Sequence, residues 1–142
     1  MTAITATPTV ATTATTGKTR NRVLWTLQIV LGLFFIIASG GPKLVMPQTL
    51  IDNGAAGVSI PLGLLVFIGV AEVAGGIGLM VRRVTGPAAA GLSVLTALAA
   101  ATQAFIADKP AMAIFPLVLA AIFAWIAYER RASFSTFTNL VK

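Results

Sequence analysis

The sequence predicts an all-α, polytopic membrane protein: a bundle of four transmembrane helices. Three observations predict it. Of the 142 residues, 57% are apolar and only 10% charged, whereas a soluble domain is about a quarter charged. The mean hydropathy is +0.93, and so few charges cannot clothe a water-soluble bundle. The apolar residues also fall into four runs, each long enough to cross a hydrocarbon layer of about 30 Å. Finally, the bases alternate from loop to loop. Lys18, Arg20, Arg22, Arg82, Arg83, Arg130, Arg131 and Lys142 fall on one side, eight in all, against Lys43 and Lys109 on the other. The positive-inside rule places both termini in the cytoplasm, with linker 43–59 and turn 108–110 outside. The expected location is the inner (plasma) membrane, crossed several times.

Residues 1–21 read as a cytoplasmic tail. Met1 to Thr19 is rich in Thr and Ala, lacks apolar periodicity, and is expected to be disordered. It does not read as a signal peptide, because the bases follow it and the next apolar run is span-length. The transmembrane domain covers residues 22–131. Span one runs from about Val23 to Ser39, with Trp25 near an interface, and Gly40, Gly41 and Pro42 are expected to break it. In the linker, Pro47 to Asp52 predicts a short interfacial helix closed by Asn53–Gly54.

Span two is Ile60 to Val81, with Pro61 in its first turn, where the missing N–H is harmless. Span three is Pro87 to Ala107, followed by the polar turn Asp108–Lys109–Pro110. Span four is Ala111 to Tyr128, with Pro116 expected to kink it and Trp125 and Tyr128 at the interface. Residues 132–142 read as a short cytoplasmic tail.

The chain has no Cys and no His. That excludes a thiol redox centre, thiolate or imidazole ligation of zinc, haem or iron–sulfur clusters, and Cys–His or Ser–His–Asp catalysis by this chain. No metal site and no covalently held cofactor is expected, and no independent catalytic activity. The net charge of +6 sits in pairs between apolar runs, which suits a lipid bilayer rather than nucleic acid.

Glu72 is the one charge inside span two. A carboxyl group there costs several kcal/mol unless it is neutral or partnered. Two roles fit it: a hydrogen-bonded acid that fixes helix register, or a proton- or ligand-binding group in a small cavity. Counting residues from the span ends brings Gln28 to a similar depth, so its amide is expected to donate to Glu72. Gln28 shares a face with Gly32, Phe35 and Ser39, and Gly69 and Gly76 flank Glu72. Gln103 gives span three a weakly polar face toward the outside. Lys43, the base at the outer end of span one, is expected to snorkel to outer headgroups rather than down to Glu72. Glu72, Gln28, Gln103 and Lys43 are the candidate ligand- or proton-binding residues. Ala71–Gly75 and Ala89–Ser93–Ala97 permit close helix approach, within the unit before any homo-oligomer.

Three stretches in order carry a family resemblance: GLFFIIASGGPKL (Gly32 to Leu44), GVAEVAGGIGLM (Gly69 to Met80) and RRVTGPAAAGL (Arg82 to Leu92). With span four they cover about residues 23–131, and this region resembles the DoxX-like family of small bacterial membrane proteins. The resemblance implies a four-helix membrane bundle, with a role as a non-catalytic accessory subunit or small-ligand binder. The ligand it implies is a quinone, and the partner a membrane redox or stress-response protein. The alternative is a small proton-coupled transporter using Glu72. Known four-span multidrug transporters carry their carboxylate in the first span, which here has none.

Overall fold

A computed structural model describes residues 11–54 and 58–142, with side chains from residue 17 onward. The described residues form helices and no strand. Helix α1 (Ala11–Leu33) continues through a π-helical segment, Phe34–Gly40, into α2 (Gly41–Val45). Next come α3 (Pro47–Asp52), α4 (Leu62–Met80), and α5 (Thr85–Ala101) with a second π segment, Thr102–Ile106. They are followed by α6 (Pro110–Glu129) and α7 (Ala132–Val141). Four stretches are long and apolar enough to cross a membrane: Gly17–Val45, Leu62–Met80, Thr85–Ile106 and Pro110–Glu129. They are the four spans expected from the sequence.

Each span packs on the next, α1 on α4, α4 on α5 and α5 on α6. Phe35 of span one meets Phe123 of α6 edge to face at 5.2 Å, so the first and last spans also touch. Leu24, Leu31, Leu79, Leu92 and Ile126 complete the core. Between α5 and α6, the Ser93 hydroxyl donates to the Ala120 carbonyl at 2.8 Å. This seam uses the small residues Ala89 and Ser93 inside the bundle. Outward, Ile37, Phe67, Leu98, Phe105 and Phe115 are all more than 60% exposed. A water-soluble surface would not carry them together, and lipid covers them at no cost.

The turns obey local chemistry. Asp108 takes a left-handed φ of 53° between spans three and four, a conformation that Asp tolerates among the non-glycine residues. Gly54, at φ 61°, ends α3 as expected, with its N–H donating to the Ile51 carbonyl. Helix α6 runs through Pro116 without interruption.

Three expectations are corrected. The first ten residues of the expected disordered tail lie outside the described residues, but from Ala11 the chain is helical. Ala favours helix, and no Pro interrupts the chain between this stretch and span one. Gly17 to Val23 are all exposed. Second, Gly40–Gly41–Pro42 does not break span one. The Gly41 N–H bonds to the Ile36 carbonyl, one residue beyond α-helical spacing. Pro42 then falls in the first turn of α2, where no N–H is needed. Third, residues 132–141 form a helix. Phe134, Phe137, Leu140 and Val141 line one side of it, and Ser, Thr and Asn the other.

Candidate functional site

Two glycine contacts set the register between spans one and two. A Cβ built on Gly32 would lie 2.7 Å from the Gly76 carbonyl oxygen, and one on Gly76 would lie 2.7 Å from the Gly32 oxygen. Seven residues up α4, a Cβ on Gly69 would meet Lys43 Cβ at 2.9 Å and the Gly40 oxygen at 3.2 Å. The contacts are eight residues apart on span one and seven on α4. The π segment lies between them on span one and takes up the extra residue.

This register decides what Glu72 meets. Lys43 lies one turn past Gly40 along span one, and Glu72 lies one turn past Gly69 on α4. The Lys43 ammonium donates to Glu72 Oε2 at 2.5 Å. It also donates to the Ser39 carbonyl at 3.3 Å and the Ser39 hydroxyl at 3.2 Å. Ser39, four residues back on the same helix, completes the three acceptors an ammonium can use. Glu72 has a side chain only 10% exposed and Lys43 one 22% exposed. The expectation that Lys43 turns to outer headgroups is therefore corrected. The helix that was to end at Gly40 carries Lys43 inward-facing. Helix α4 also extends seven residues, about 10 Å, beyond Gly69 toward its N-terminus, alongside α2.

The same register corrects the expected Gln28–Glu72 bond. Gly32 faces Gly76, so Gln28 falls opposite the C-terminal end of α4, near residue 80. Glu72 is eight residues away along α4, about 12 Å. Gln28 is fully buried, and neither its Nε2 nor its Oε1 has a partner among the described residues. The depth count assumed a common midplane for the two spans, and the glycine contacts offset them. A buried amide without partners costs about 1–3 kcal/mol. Gln28→Met keeps the approximate volume and removes the two polar groups, so its melting temperature in detergent is expected to rise. A fall would mean that the amide is satisfied. Gln103 sits half-buried in the π segment that ends span three, where its backbone carbonyl accepts the Lys109 N–H at 2.9 Å. It does not bond to Glu72 or Lys43.

Above the ion pair lies a cavity of about 240 Å³ under α3. Lys43 and Ser39 form its polar side, and Ala38, Leu50, Ile51 and Leu65 are among its apolar walls. Ser39 was not among the candidates read from the sequence. Its signal was present as the i, i+4 spacing to Lys43, but it becomes meaningful only once the helix is continuous past Gly40. The Ser39 hydroxyl accepts from Lys43 and therefore keeps its own proton to donate. The arrangement can hold a molecule with an apolar ring and a hydrogen-bond acceptor.

The end of the bundle where span one begins and α6 ends carries a second charged cluster. Arg20 pairs with Glu129 at 3.6 Å. Arg130 donates to Asn21 Oδ1 at 2.9 Å and lies over the Trp25 ring at 5.5 Å. Burial, then the charge of Arg82, hold the Arg130 guanidinium below the usual arginine range, with Glu129 opposing. The described residues hold no group of three or more Asp, Glu, His or Cys able to bind a metal.

No curated protein and no solved structure matches the chain. The model of the DoxX-like family matches residues 26–126, from span one to the last turn of span four. That region holds the glycine register, the Lys43–Glu72 pair and the cavity above it, and by this match the chain belongs to the DoxX-like family.

Proposed function

We propose that the protein is a non-catalytic, ligand-binding subunit of a membrane redox or stress-response complex, and that its ligand is a quinone. The observation that carries the reading is the outer cavity with Lys43 and Ser39 on one side and apolar walls elsewhere. At about 240 Å³ it is smaller than the roughly 300–1,000 Å³ of sites that enclose a whole drug-sized ligand. It suits a ring headgroup whose apolar tail lies outside among lipids. The Ser39 hydroxyl donates to a ring carbonyl, and Lys43, held by Glu72, keeps that hydroxyl oriented. A bound quinone would supply the redox chemistry. This chain contributes position, a hydrogen bond and exclusion of water, and electrons come from a partner.

The test is titration of the purified protein with a short-chain benzoquinone. Ala38→Phe fills the cavity and Ser39→Ala removes the donor. The expected result is saturable binding, weakened about tenfold or more by Ala38→Phe and several-fold by Ser39→Ala, consistent with loss of one hydrogen bond of about 1 kcal/mol. Wild-type protein that binds no quinone, or binds it equally well in both variants, would sink the reading.

In this proposal the cavity opens to the outer leaflet and both termini are cytoplasmic, supported by the eight-to-two distribution of bases. Because the chain has no Cys, single-cysteine labelling is clean. Asn53→Cys is expected to react with an impermeant reagent added outside, and Ser135→Cys only after the membrane is opened. The reverse pattern would invert the topology.

A further inference from the structure

A second hollow lies on the lipid-facing side of the bundle, between the inner halves of α4 and α5. It holds about 400 Å³. Its floor is small residues, among them Ala71, Ala74, Gly75 and Gly91, and Phe137 of α7 lines its inner end. Helix α7 is fixed there by a specific contact, in which the Gly86 N–H donates to the Ser133 hydroxyl at 2.8 Å. A Cβ at Gly86 would collide with Ser133, Arg130 and Phe134. The floor follows α4 from Gly78 to Ala71, about 10 Å at 1.5 Å per residue, so the hollow is a trough open to lipid along its length.

The loop at the inner mouth of the trough carries Arg82 and Arg83, both exposed. Among the described residues neither has a hydrogen bond or an ion pair. Arg82 is close enough to Arg130 for their charges to oppose one another. The acid available at this end is Glu129, which Arg20 engages. Eight bases therefore face one acid at the inner end, and the trough opens beside two of them that lack an anion. An apolar slot ending at unpaired cations, at the depth of a membrane interface, matches a lipid with an acyl chain and an anionic headgroup.

We propose that the α4–α5 trough is a seat for an anionic phospholipid, with one acyl chain along the small-residue floor beside Phe137 and the phosphate at Arg82 and Arg83. A zwitterionic lipid offers the same chain but no net charge. Two arginines near the membrane surface, at about 1 kcal/mol each, correspond to roughly a 30-fold preference for the anionic headgroup. The proposal does not depend on the quinone reading, since the trough and the outer cavity share no residue.

The test reconstitutes the full chain in vesicles of equal phosphatidylglycerol and phosphatidylcholine, extracts it in mild detergent and counts retained lipids by native mass spectrometry. Wild type is expected to keep phosphatidylglycerol over phosphatidylcholine by roughly 30-fold. Arg82→Gln with Arg83→Gln should bring the ratio close to one. Gly91→Leu enters open space, because nothing lies within 4 Å of a Cβ there. It should reduce retention of both lipids about tenfold or more while the melting temperature holds. Ala74→Leu fills the same trough from α4, should Gly91→Leu fail to fold. Equal retention of the two lipids by wild type would overturn the proposal, as would an unchanged preference in the arginine double variant. A lipid-free dimer that Gly91→Leu dissociates would assign the trough to a second copy and overturn it as well.

Discussion

Lys43→Met is expected to be among the most damaging single substitutions in this protein. It leaves the Glu72 carboxylate in the membrane interior without its cation. Breaking a buried ion pair by removing one partner costs about 3–5 kcal/mol, because the other charge stays desolvated. The Glu72 side chain is only 10% exposed, and its carboxylate takes no other bond among the described residues. Glu72→Leu should cost a similar amount by stranding Lys43, less whatever Lys43 recovers by turning to outer headgroups. At 22% exposure Lys43 has that escape and Glu72 does not, so Lys43→Met should be the worse of the two. Denaturant titration in mild detergent measures both. A loss below about 1 kcal/mol for Lys43→Met would mean that the pair is no more than a surface contact.

The second large effect is expected at the glycine crossing. Gly76→Ala puts a methyl group 2.7 Å from the Gly32 carbonyl oxygen and 2.9 Å from Ile36 Cγ1. Backbone cannot yield as a side chain end can, so the two helices must part. Overpacking of this kind costs about 1–3 kcal/mol. Gly32→Ala meets the Gly76 oxygen at the same distance. Once the helices have parted for one methyl group, the second should be cheaper, so the double variant should lose less than the sum of the singles. Gly91→Ala is the control: it meets open space and replaces a poor helix former, so stability should hold or rise. Equal effects at Gly76 and Gly91 would show that the crossing is looser than the structure makes it.

These two sites also mark where the sequence was informative and where it was not. The four spans were legible because apolar length is a one-dimensional property. The turn at Asp108 and the end of α3 at Gly54 were legible because their backbone conformations demand particular residues. Register between neighbouring spans is different. It depends on which glycines meet, and Gly32, Gly40, Gly69 and Gly76 could be paired in several ways by periodicity alone. Gly40–Gly41–Pro42 read as a breaker because proline usually interrupts an α-helix. A π turn immediately before Pro42 removes the conflict, and nothing in the composition announces that turn.

The consequences followed from there. Ending span one at Gly40 assigns Lys43 to the outer surface and leaves Gln28 as the nearest polar group for Glu72. The structure separates Gln28 from Glu72 and supplies Lys43 instead. The C-terminal helix was missed for a simpler reason: its stripe of Phe134, Phe137, Leu140 and Val141 is present in the sequence but spans only ten residues. That is too short to form alone in water, and it is fixed at one end by the Gly86 N–H on Ser133.

Lys43 and Glu72 act as one unit across the glycine crossing. A double-mutant cycle tests it most directly, with Lys43→Met, Glu72→Leu and both together, unfolded in the same detergent. If the pair is direct, the double variant has no stranded charge. It should be more stable than either single variant, with a coupling energy of about 2 kcal/mol or more. If the two losses simply add, the residues do not meet, and the register, the orientation of Ser39 and the polar side of the cavity are all wrong.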